Sequence, residues 1–142
     1  MTIPSPAEIQ AIMRSGVPLA GEWEVEVLAA EGGVALLRLP AKPNLLRPGN
    51  TISGPALMGL ADVAMWAALL STTNGRDDSV TSTMTVNFLR PAGSGPVLAQ
   101  ARIVKRGKRM LFGEILIRPE GSDDLSVHIT TTWAVIAPQR GR

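Results

Sequence analysis

Cysteine is missing from all 142 residues, which removes disulfides, thiolate nucleophiles and zinc–thiolate sites together and leaves the compartment unconstrained by redox. Histidine occurs once, as His128. A Ser–His–Asp triad and a transition-metal site are therefore not expected, and His128, alternating with Ser126, Thr130 and Thr132 on a polar face, reads as structural or solvated. No serine stands in a GxSxG context, and no glycines form GxGxxG or a Walker pattern. Aromatic residues make up 4% of the chain and the formal net charge is +2, too little of either for a nucleic-acid stripe. The segment MTIPSPAEIQ has neither a basic n-region nor an apolar h-region, so no signal peptide is expected and the default expectation is the cytoplasm. Uninterrupted apolar runs of membrane-spanning length are also lacking. The one candidate, Ile52 to Leu70, carries Asp62 near its middle, at a cost of roughly 2.5–3.5 kcal/mol on insertion scales. No metal, cofactor, nucleic acid or membrane partner is expected.

What is present is a chain long enough to bury roughly 68–70% of its unfolded surface as one domain over residues 1–142. The stretch that organises it is Gly49 to Leu70, GNTISGPALMGLADVAMWAALL. Leu57, Leu60, Ala61, Ala64 and Ala68 recur at spacings of three and four, with Met58, Met65 and Leu69 on the adjoining face, the pattern of a helix buried nearly all round. Ser53 is placed to cap it, and Gly54 and Pro55 open it, since proline is tolerated in a first turn. Between Ile52 and Leu70 the only ionisable side chain is Asp62. A buried carboxylate costs several kcal/mol unless it is hydrogen-bonded, protonated or wet, which marks a group kept for chemistry. The competing reading is a structural polar group that fixes register.

Around this helix the pattern is mostly strand. Residues 1–20 form a lead-in in which Ile9, Ile12 and Met13 share one side of a short amphipathic helix from Pro6 to Ser15, placed as a lid. Glu22 to Val27 alternates, with Trp23, Val25 and Val27 against three glutamates, and predicts a half-buried strand. Gly32 and Gly33 turn it into a second strand, Val34 to Leu39, stopped by Pro40 and Pro43. A polar loop containing Asn44, Arg47 and Asn50 leads into the helix. Beyond it, Val80 to Phe88 alternates with Val80, Ser82, Met84, Val86 and Phe88 on one face and Thr81, Thr83, Thr85 and Asn87 on the other. Val97 to Val104 and Met110 to Arg118 flank the basic turn RGKR as a long hairpin, Leu125 to Ile136 closes the sheet, and residues 138–142 are a tail. The order predicts an α+β domain, an antiparallel sheet covering one long hydrophobic helix. Its threonine-bearing strands are neither charged nor capped, so a homodimer or homotetramer that continues the sheet across subunits is expected.

With GPALMGLADVAMWAALL in the middle and VTSTMTVNFLRPA after it, the chain resembles the hotdog-fold thioesterases of the phenylacetate-degradation type, whose substrates are acyl-coenzyme A esters. In that family the central helix opens with a His-Gly-Gly signature and carries an acidic residue eight positions after the first glycine. Gly54 and Asp62 keep that spacing, while Ser53 replaces the histidine and Pro55 the second glycine. The resemblance implies that the Gly54 N–H meets the thioester carbonyl and that Asp62 is base or nucleophile. It further implies an amide side chain upstream of the helix, for which Asn50 ranks before Asn44, and a hydroxyl on the next strand that orients the lytic water, Thr81. Alternation puts Thr81 opposite the apolar face, so it reaches the site only through a second subunit or a kinked strand. Lys105, Arg106, Gly107 and Lys108 resemble the segment that holds the coenzyme A phosphates, with Arg90 a further candidate. Ser53, Met58, Met65 and Trp66 are candidates for the acyl pocket, or core.

Hydrolysis of a thioester needs a base or nucleophile and a donor for oxyanion charge. Asp62 and Gly54 offer both without a cofactor. The alternatives are a catalytically silent hotdog domain that binds acyl-CoA or serves as a structural partner, and a hydratase or dehydratase, which in this fold usually sets a histidine close to the acid. No histidine stands near Asp62.

Overall fold

The computed structural model describes residues 3–136; the expected tail at 138–142 lies outside them. Helix α1 (Pro6–Gly16) begins with a capping box, Ser5 accepting from the Glu8 N–H while the Glu8 carboxylate accepts from the Ser5 N–H, both at 3.1 Å. Its apolar side, Ile9 and Met13, is fully buried.

The expected strand at Glu22 to Val27 forms differently. Pro18 starts a one-turn helix, α2 (Pro18–Glu22), Trp23 caps it, and the chain reverses through Glu24 at φ 55°. Strand β1 then runs only from Glu26 to Glu31. Val25 and Val27 are buried as their pattern predicts. Trp23 is instead laid across the central helix, where a methyl on Gly59 would come 2.9 Å from its ring. A period of two describes which side chains face inward, and a tight turn satisfies it as readily as a strand does.

Strand β2 (Val34–Leu39) returns from β1 through Gly32 and Gly33, both at positive φ. The loop expected before the central helix contains a 3-10 turn at Pro43–Leu45 and a two-residue hairpin, β3 (Leu46–Arg47) with β4 (Thr51–Ile52). Helix α3 (Gly54–Leu70) follows, with the Ser53 hydroxyl accepting from the Ala56 N–H at 3.3 Å. Four strands complete the chain: β5 (Ser79–Phe88), β6 (Val97–Arg106), β7 (Met110–Pro119) and β8 (Val127–Val135). The antiparallel sheet has the order β1-β2-β6-β7-β8-β5, and α3 packs chiefly on β6, β2 and β7.

From Leu60 to Leu70 every residue of α3 except Asp62 is buried. Each fully buried leucine or methionine there contributes about 1.5–3 kcal/mol relative to exposure. The helix sits close to the sheet because small residues meet it: Ala35, Ala99 and Ala101 are fully buried, and a methyl on Gly113 would fall on the thioether of Met65. Strand β5 lies at the sheet edge, and it contains a bulge between Thr81 and Thr83.

Candidate active site

Asp62 projects from the middle of α3 toward the start of β5. The Thr81 hydroxyl donates to its Oδ1 at 2.5 Å. A straight strand would not allow this contact, since Thr81 would face away from the side that holds Met84 and Val86. The bulge at Ser82 inserts one extra residue against β8 and reverses the phase. Before it Ser79, which is buried, and Thr81 face the helix; after it Met84 and Val86 pack on the core and the Phe88 ring reaches Gly54. The face expected to run unbroken from Val80 to Phe88 therefore holds only from Met84 onward.

Burial raises the Asp62 carboxyl above its ordinary value of 3.8, because charge is costly in the partly desolvated wall, and the Thr81 hydrogen bond pulls it back down. Around the pair lies a cavity of about 310 Å³ lined by Gly16 and Val17 from the end of α1, by Val63 and Trp66 of α3, and by Asp77, Val80 and Trp133. The Trp133 indole N–H is buried without a partner. Asp77 forms no ion pair among the described residues.

Gly54 opens the same helix at a different cavity, about 470 Å³, lined among others by Arg47, Leu57, Phe88, Leu89 and Arg90. The first turn leaves one backbone donor free there. Pro55 has no N–H, Ala56 bonds to Ser53 Oγ and Leu57 to the Ser53 carbonyl, whereas the Gly54 N–H has no acceptor among the described residues. It stands at the positive end of the helix dipole. Eight residues of α-helix separate it from Asp62, a rise of about 12 Å. One carbonyl cannot touch both within a single protomer.

The remaining expected residues are dispersed. Asn50 is exposed at the tip of the β3–β4 hairpin at φ 56° and lines neither cavity, nor does Ser53, whose hydroxyl is engaged in capping. Trp66 walls the Asp62 cavity; Met65 is fully buried against the sheet, and Met58 lies 38% exposed outside both cavities. Arg90 lines the Gly54 cavity and pairs with Asp124 at 3.0 Å. Lys105, Gly107 and Lys108 surround a separate cavity of about 440 Å³, and Arg106 donates to the Thr72 hydroxyl. This turn stands at the Asp62 end of the sheet, since the adjoining Arg109 carbonyl accepts from the Val135 N–H and the Asp78 carbonyl accepts from the Ile136 N–H. His128 bridges to Glu114 at 2.8 Å on the sheet, away from the cavities. Another cavity of about 630 Å³ beside β1 and β2 holds none of the expected residues. Sequence reasoning missed Asp77, Trp133 and Arg47 as wall residues, for none belongs to a motif and only the fold brings them to the cavities. Among the described residues no helix is long and apolar enough to cross a membrane, and no cluster of potential metal ligands occurs.

A protein of Thermoplasma acidophilum that carries an inferred esterase name is 31% identical over 94 residues, 66% of this chain and 69% of that relative. Among solved structures, one described as an inferred thioesterase from Silicibacter is 29% identical with a TM-score of 0.86, covering 96% of this chain and 95% of that one. The E. coli PaaI protein from the phenylacetic acid degradation operon shares the fold at 21% identity, with a TM-score of 0.82 and coverage of 94% and 95%. The family model described as the Thioesterase superfamily matches residues 49–126, more than half of the chain and both Gly54 and Asp62, so the protein belongs to that superfamily and has its hotdog fold.

Proposed function

We propose that the protein hydrolyses acyl-coenzyme A thioesters in sites shared between two copies of the chain. The observation that carries this reading is the pairing of Asp62 with Thr81 beside an apolar cavity, on a helix whose first N–H is free. Strand β5 runs from the Asp62 end of α3, at Thr81, to the Gly54 end, at Phe88. It is an edge strand of ten residues with no charge and no proline, and Val80 and Phe88 lie 48% and 53% exposed on it. Two such strands pairing antiparallel about a two-fold axis bring the Gly54 end of one protomer against the Asp62 end of the other. The 12 Å that separates the groups along one helix is thereby closed across the interface.

In such a site the thioester carbonyl accepts from the Gly54 N–H, and the ionised Asp62 acts as base toward water or as nucleophile. Attack at the carbonyl carbon moves an electron pair onto oxygen, where the N–H and the helix dipole stabilise it. Collapse of the tetrahedral species breaks the C–S bond. With Asp62 as base, the thiolate takes up the proton that Asp62 removed from water and the free acid forms directly. With Asp62 as nucleophile, a water then hydrolyses the acyl-aspartyl anhydride, releasing the acid, restoring the carboxylate and supplying the thiol's proton. Thr81 holds one carboxylate oxygen, leaving the other for the reaction. Arg47 and Arg90 beside Gly54, with Lys105, Arg106 and Lys108 on the turn, supply charge for the phosphates.

The test is Asp62→Asn, assayed by thiol release on a panel of acyl-CoA esters. The expected outcome is a fall in kcat of about 10² or more with acyl-CoA still bound, as for loss of an acid–base group. Near wild-type turnover in a folded variant would sink this mechanism, and absence of turnover by the wild type would favour a silent binding domain.

A further inference from the structure

We infer that the acyl group this site takes is compact and uncharged: a short or branched chain or a single ring, neither a long chain nor one ending in a carboxylate. The inference rests on the reading of Asp62 as the hydrolytic carboxylate and adds a substrate class to it. Its basis is a contrast between the two cavities. The one at Gly54 holds Arg47 and Arg90 and no acid, whereas the one at Asp62 holds two carboxylates, Asp62 and Asp77, and no lysine or arginine. The polyanionic carrier is drawn to these arginines and to the basic turn, none of which lines the Asp62 cavity, and that leaves the cavity for the acyl end.

That cavity is short. Its volume of about 310 Å³ is about twice the 150 Å³ that encloses a benzene ring. On one side it is bounded by α1 pressed on an indole, since a methyl on Gly16 would sit 2.7 Å from the Trp66 ring, and Met13 of α1 is fully buried. Growth of the acyl chain past Trp66 therefore meets packed core. A terminal carboxylate would be carried into a wall of like charge with reduced solvation, the arrangement by which sites reject a competitor.

The experiment compares kcat/KM for valeryl-, benzoyl-, palmitoyl- and glutaryl-CoA, valeryl and glutaryl differing at the end of a five-carbon chain. Valeryl-CoA is expected to exceed both glutaryl- and palmitoyl-CoA by at least about tenfold, glutaryl-CoA being rejected through like charge against Asp62 and Asp77 and palmitoyl-CoA through the packed core beyond Trp66. Asp77→Asn should narrow the valeryl-to-glutaryl ratio severalfold, and Trp66→Leu should raise the value for octanoyl-CoA relative to valeryl-CoA. If Trp66→Leu fails to fold by circular dichroism, the exposed Asp77 position carries the test. A wild-type preference for glutaryl- or palmitoyl-CoA, or a ratio that Asp77→Asn does not move, would overturn the inference while leaving thioester hydrolysis standing. Failure of the folded wild type to cleave any ester of the panel would overturn the hydrolytic reading itself.

Discussion

The behaviour of Asp62 is set by two opposing contributions, burial that disfavours its charge and one hydroxyl that favours it. Because its folded-state pKa is raised, its contribution to stability is fully present below the unfolded value and is lost as pH rises through the folded one. Asp62→Asn should therefore gain stability relative to wild type above that window, read by denaturant midpoints at acid and neutral pH. Thr81→Val removes the hydroxyl and leaves the shape. The acidic limb of its kcat/KM profile should move to higher pH, and an unmoved limb would mean that the hydrogen bond does not persist in the working enzyme. Asp62 and the Ser53 cap were legible in the sequence because both are exceptions in a run of one kind: one charge among apolar residues, one hydroxyl before Gly-Pro. Thr81 was named only through the resemblance, with a second subunit or a kinked strand as its condition, because counting by twos assumes a strand without an extra residue and turns it away from the helix. Asp77 was illegible, since a loop aspartate beside Asp78 differs in nothing from a solvated one until the fold brings it to Asp62.

At the scale of elements, α3 and the strands after it were readable because apolar periodicity and breakers agree on them. Glu22 to Val27 was not, for the alternation that suggests a strand there records inward-facing Val25 and Val27 around a turn. The β6–β7 turn raises a different question. Gly107 N–H bonds the Met110 carbonyl at 2.8 Å, holding a tight connection from which Lys105 and Lys108 project, while Arg106 is tethered to Thr72. If this turn engages the coenzyme A phosphates, replacing Arg106 and Lys108 together by alanine should raise KM for acyl-CoA about fivefold, as for two exposed contacts of roughly 0.5 kcal/mol each. The dependence of KM on salt should flatten in parallel. Steady-state kinetics at two ionic strengths checks both, and an unchanged KM would leave the turn a solvated hairpin.

At the scale of the whole molecule, the proposed shared site makes activity a property of the pair of chains, because about 12 Å separates Gly54 from Asp62 along one helix. Lysine on a sheet edge blocks pairing with another edge. Thr85→Lys, on the outward face near the middle of β5, should therefore yield a monomer by light scattering at micromolar concentration. Hydrolysis should fall at least tenfold although Asp62 and Thr81 stay in contact. A dimer that persists with full activity would refute the shared site.

The bulge at Ser82 has a consequence for how this strand tolerates change. Inheritance of a side-chain preference along β5 skips a beat: odd positions are held to the interior up to Thr81, and even positions from Met84 onward. A saturation library read out by growth or folding would show an alternating pattern of tolerance whose phase inverts at residue 82. Deleting that single serine would remove the inversion, since Thr81 and Thr83 would then become neighbours in one unbroken alternation that keeps Thr81 on the same face as Met84. Loss of that one codon would thus leave the hydroxyl beside Asp62, whereas a library of the full-length strand would carry the inverted beat.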